Sequence, residues 1–209
     1  MIEKVITLLS SGFLLINTML YVKAYKKSVS LNIFTLYLCV TLVIQLSFNY
    51  LFFQKINNLY LSHYYFIFQF ILLSLFYRKL FKTAQLKRIV EIIFATVIII
   101  LTTQYINKPQ IYFEFNLLEI VLTSLSIVTF SVIYFYQSLT EKMEFMYLNY
   151  GVFIYLLSST LIFCSGNFVS SIEVLIGRIL WFINSVLFIV YQILIFIQWY
   201  KTLRSKRNY

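Results

Sequence analysis

Aspartate is missing from this chain altogether, and histidine occurs once, at His63. Intramembrane metalloproteases and di-iron oxidases need several His and carboxylate ligands, as in H-E-x-x-H, and one histidine cannot supply them. Aspartyl proteases and the lipid synthases that hold Mg²⁺ through aspartate clusters fall away for the same reason. A Ser–His pair can be written on paper, but Ser165-Gly166 lacks the strand-to-helix elbow that makes a serine a nucleophile. The last apolar stretch, Ile179–Tyr200, holds no lysine for a retinal Schiff base. We therefore expect no enzyme, no metal and no cofactor.

Cysteine, proline and glycine are also scarce: 2, 1 and 4 residues. Cys39 and Cys164 both fall inside apolar stretches, where a thiol behaves as a small hydrophobe, and their spacing fits neither a zinc site nor a disulfide framework. So few Gly and Pro leave little means of breaking a helix. Charge is thin as well, at 11% of residues, against roughly 25% in a soluble domain. The lean toward Ile, Phe, Tyr, Asn and Lys over Ala and Gly is what an AT-rich bacterial genome imposes.

What fills the chain instead is apolar: 61% of its 209 residues. They gather into seven stretches, Val5–Val22, Leu31–Phe53, Leu59–Tyr77, Ile89–Ile106, Leu117–Tyr136, Phe145–Cys164 and Ile179–Tyr200. A helix crossing a bilayer needs about 20 such residues at about 1.5 Å rise each. The expected fold is all-α: a polytopic membrane protein with one seven-helix transmembrane domain spanning residues 1–209. The connections, chiefly Arg78–Arg88, Asn107–Asn116 and Ser165–Arg178, are too short to fold alone.

The net charge of +10 is distributed by topology. Lys23, Lys26, Lys27, Arg78, Lys79, Lys82, Lys87, Arg88, Lys142, Lys201, Arg204, Lys206 and Arg207 fall on one side, and Lys4, Lys55, Lys108 and Arg178 on the other. The positive-inside rule then puts the N-terminus outside and the C-terminus in the cytoplasm of a bacterial cytoplasmic membrane. Anionic lipids account for the basic excess, and no nucleic-acid partner is expected. Positive charge follows the first stretch, the reverse of a cleavable signal peptide, so it reads as a retained helix. Phe66–Leu80 and Phe188–Leu203 share a Phe-Ile start, a central Gln, an aromatic pair and a basic exit. They raise a 3+1+3 parallel repeat, with helices one to three and five to seven as triplets; the competing account is that any two outside-to-inside helices share these borders.

Ionisable groups at membrane depth cost about 2.5–3.5 kcal/mol on insertion scales, so each needs a reason. His63, Glu119 and Arg178 enter at the same outer level on three different helices, with Asn49, Tyr64 and Trp181 beside them. Two readings compete. These six residues line a pocket for a small-molecule ligand, or they snorkel to the headgroups as interfacial anchors. In the pocket reading Glu119 pairs with Arg178. Glu91 is expected to pair within its own helix, with Arg88 or Lys87. Gln45, Asn184, Gln192 and Gln198 read as interhelical glue. Arg78, Lys79, Lys82, Arg204 and Arg207 are candidates for docking a cytoplasmic or membrane protein partner. The functional expectation is a non-enzymatic sensor or accessory of a partner protein. A small-solute transporter and a pore-forming effector, for example in antiviral defence, are the alternatives.

Overall fold

The computed structural model describes residues 2–24, 28–169 and 174–204. Among them are seven α-helices: α1 (Ile2–Lys23), α2 (Val29–Phe53), α3 (Tyr60–Leu80), α4 (Ala84–Asn107), α5 (Leu117–Ser138), α6 (Met146–Val169) and α7 (Val174–Gln198). No strand occurs among the described residues. A 3-10 turn, Pro109–Phe113, joins α4 to α5, and a π-helical turn, Trp199–Arg204, follows α7. Helices α2 to α7 each hold a stretch long and apolar enough to cross a bilayer, whereas α1 carries a shorter one, Leu8–Lys23. The chain is thus a multi-pass membrane helical bundle. Its surface agrees: Ile99, Ile106 and Phe52 are 65%, 72% and 64% exposed, while Asn17, Gln69, Asn149 and Gln192 are buried.

Local signals set the helix ends. Ser28 and Thr83 cap α2 and α4, their hydroxyls accepting the N–H of Leu31 and Leu86. The Thr83 cap starts α4 five residues before the apolar stretch, so Arg78–Arg88 is mostly helix ends around a three-residue connection, Phe81–Thr83. It also brings Arg78 of α3 against α4. Arg78 Nε donates to Glu91 Oε1 at 2.6 Å, so the Glu91 pair bridges two helices rather than lying along one. Helix α2 ends in a Schellman motif, with Ile56 N–H on Leu51 O and Lys55 N–H on Phe52 O, which puts Lys55 at φ 56°.

The helices group into two compact units by their contacts, Met1–Ala24 with Ser131–Tyr209, and Tyr25–Phe130. In the first unit α7 packs along both α1 and α6. Asn17 Nδ2 donates to Gln192 Oε1 at 2.9 Å and to Gln192 O at 2.8 Å, and Tyr21 donates to Ile195 O. Gly151 of α6 meets Tyr191 so closely that a Cβ there would lie 2.7 Å from the ring, and Tyr155 stacks on Tyr191. Gln198 closes the start of α6: its Oε1 accepts from the N–H of Tyr147 and Leu148, and its Nε2 donates to Glu144 O. In the second unit α3 packs against α2 and α4. Phe34 meets Phe76, Phe70 stacks on Phe94, and Gln69 donates to the hydroxyls of Tyr37 and Tyr65.

Candidate functional site

At the end of the second unit where α3 and α5 begin and α4 finishes, three titratable side chains converge. His63 lies one turn into α3, Tyr105 near the C-terminus of α4, and Glu119 in the first turn of α5. His63 Nδ1 stands 3.1 Å from Glu119 Oε2 and 2.8 Å from the Tyr105 hydroxyl. That hydroxyl also donates to Glu119 Oε2. Its only proton is therefore committed, and the three contacts are satisfied together when Nδ1 carries a hydrogen shared between Tyr105 and Glu119. His63 is 3% exposed and Glu119 0%.

The carboxylate is held by its own helix start. Asn116 accepts the Glu119 N–H through Oδ1 at 3.3 Å and donates from Nδ2 to Glu119 Oε2 at 3.4 Å. This Asn-x-x-Glu spacing is a capping-box variant, and the α5 dipole favours an anion there. A reciprocal amide pair fixes Asn116 in turn: Gln104 and Asn116 exchange two hydrogen bonds of 3.1 Å. Thr123 donates to the Glu119 carbonyl one turn further on.

The 3-10 turn lies across the imidazole. Tyr112 stacks on His63 with centroids 5.9 Å apart and planes 24° from parallel. The Tyr112 and Tyr64 hydroxyls are hydrogen-bonded at 3.0 Å, and Tyr60 packs on the Tyr112 ring. That bond to Tyr64 holds the Tyr112 phenol above its ordinary pKa, with the surrounding protein adding to it. Two buried atoms of the cluster have no hydrogen-bond partner, His63 Nε2 and Glu119 Oε1.

Six residues came forward from the sequence as ligand candidates, and the structure distributes them. His63 and Glu119 face each other, and Tyr64 reaches the same cluster through Tyr112. Asn49 is a half-buried residue of α2. Arg178 and Trp181 belong to α7 in the other unit, both exposed, Trp181 against Phe163. Glu119 has His63 as its ion partner within its own unit. Of the docking candidates, Arg78 is tied to Glu91, Lys79 and Lys82 are exposed, Arg204 ends the π-helical turn, and Arg207 lies outside the described residues. Tyr105, Asn116, Gln104 and Tyr112 escaped the sequence reading. Asn116-x-x-Glu119 before an apolar run was a legible cap signal; the two tyrosines were hidden among 18. Comparison with protein-family models, curated proteins and solved structures gives no match for this chain.

Proposed function

We propose that the chain is a non-enzymatic sensor or accessory in a bacterial cytoplasmic membrane, with its N-terminus outside and the His63–Glu119–Tyr105 cluster as the stimulus-receiving site. The observation that carries the reading is this buried cluster. A carboxylate, an imidazole and a phenol desolvated together are costly, and their polar satisfaction joins three helix ends through one turn. A change at that point reaches α3, α4 and α5 at once. At their opposite end, α3 and its connection to α4 carry Arg78, Lys79 and Lys82, the surface proposed to meet a cytoplasmic or membrane protein partner.

Native mass spectrometry of the protein gently extracted from its own cells tests the reading. A stoichiometric protein partner, lost when Arg78, Lys79 and Lys82 are replaced by glutamine, is expected. A protein that comes alone and drives solute flux into liposomes would remove it in favour of a small-solute transporter. One feature favours that second reading: the repeat-equivalent glutamines, Gln69 and Gln192, are both buried and both tie their helix to another, through Tyr37 of α2 and Asn17 of α1. A carrier built from parallel repeats would place corresponding polar side chains this way.

A further inference from the structure

We infer that the cluster is a proton-binding site, and that the proton on His63 Nε2 latches the α4–α5 turn. This rests on the reading of the cluster as the stimulus-receiving site and names the stimulus. Nδ1 already holds its hydrogen between Tyr105 and Glu119, so Nε2 is the atom left to titrate. It has no hydrogen-bond partner, and the Tyr112 ring of the turn stacks on the imidazole. With Nε2 bare, two neutral rings are stacked and their attraction is modest. With Nε2 protonated, an imidazolium lies against the phenol face at 5.9 Å, within cation–π range, and the attraction grows. One proton thus strengthens the hold of α3 on the turn.

Both charge states are tenable at this place, which a switch requires. The groups that face the imidazole are Glu119 from α5, Tyr105 from α4 and Tyr112 from the turn; Tyr60 and Tyr64 of α3 pack on Tyr112, and Asn116 and Gln104 are neutral support behind Glu119. Glu119 offsets the imidazolium. The N-terminal end of α3 opposes it, since a helix start disfavours a cation. When the ring is neutral, the carboxylate keeps the Tyr105 O–H, the Asn116 N–H and the α5 dipole as its compensation. Neither state leaves an uncompensated buried charge.

Hydrogen–deuterium exchange of the intact protein in detergent micelles, corrected for intrinsic rates, reads the latch directly. The Ile111 and Glu114 amides bond to the carbonyls of Lys108 and Ile111, so turn opening exposes both. Their protection is expected to fall about tenfold as pH rises across about 5 to 8, in a single-proton step. His63→Gln should abolish the step, and Tyr112→Phe, which cuts only the Tyr64 bond at the turn, should lower protection at every pH and keep it. Protection constant within about twofold in the wild type, or a step that persists in His63→Gln, overturns the proton site. A flat profile in a protein that retains its partner removes the proton but not the sensor. A one-proton step in a protein that carries solute supports the site and overturns the sensor.

Discussion

Truncating Glu119 to alanine strands an imidazole and a phenol that now share one carboxylate in a desolvated place. Removing one member of a buried pair costs about 3–5 kcal/mol, because what remains is an uncompensated polar group. Glu119→Ala is expected to lose stability by that order, measured by reversible unfolding in mixed micelles. His63→Ala alone should cost less, since Glu119 keeps Tyr105 and Asn116 as donors. The double variant should fall short of the sum by about 1 kcal/mol or more, the mark of residues in direct contact. Arg178→Ala, on an exposed side chain, should lie within about 0.5 kcal/mol of wild type. Additivity of the His63 and Glu119 substitutions would show that their 3.1 Å approach carries no energy. Depth along a helix is legible in hydropathy, which is why His63 and Glu119 came forward together. Azimuth is not: whether a side chain one turn inside a span is covered depends on packing, and Arg178 is exposed.

Helix ends are where local chemistry and packing trade control, and two of them allow sharp tests. Lys55 occupies a position that favours glycine, at φ 56°, where a Cβ costs about 1 kcal/mol. Lys55→Gly should raise the Tm by a few degrees, at the expense of one of the four basic residues on the sparsely charged side; an unchanged or lower Tm would mean that the lysine side chain outweighs the backbone strain. Gln198 works the opposite way. Three hydrogen bonds from one side chain close the start of α6, so Gln198→Leu should cost about 1–3 kcal/mol by leaving the Tyr147 and Leu148 amides without their acceptor. Gly151→Ala should cost a similar amount by pushing Tyr191 off its stack with Tyr155. Helices α2 to α7 were readable from apolar runs about a bilayer long, because lipid demands that length; α1 was expected to hold such a run at Val5–Val22, and among the described residues it holds a shorter one, Leu8–Lys23. The start of α4 at Ala84 was not readable, since a threonine cap overrode the hydropathy boundary at Ile89. The Glu91 pairing was misjudged for the same reason: the shortened connection carried Arg78 within reach, ahead of Arg88 and Lys87 on Glu91's own helix.

For the whole molecule, the asymmetry of charge and the position of the cluster make one joint prediction. The seven-span reading of the sequence divides thirteen basic residues from four, and a bias of that kind would fix orientation during insertion. The cluster lies at the sparsely charged end, where α3 and α5 begin and α4 finishes. If the basic side is cytoplasmic, the site samples the exterior and protons reach it from there. Fusing alkaline phosphatase after Lys108 should give an active enzyme, and fusing it after Tyr209 an inactive one, with a fluorescent protein giving the reverse pattern. Lys4, Lys55, Lys108 and Arg178 pull the other way but are few. Adding three lysines after Asn58 should therefore weaken the bias and yield mixed populations, rather than leave the orientation intact. An inverted fusion pattern in the wild type would turn the site toward the cytoplasm. The proton that latches the turn would then report internal pH, and Arg78, Lys79 and Lys82 would lose their standing as a cytoplasmic docking surface. Orientation thus decides which compartment the His63 imidazole reads, independently of whether it titrates.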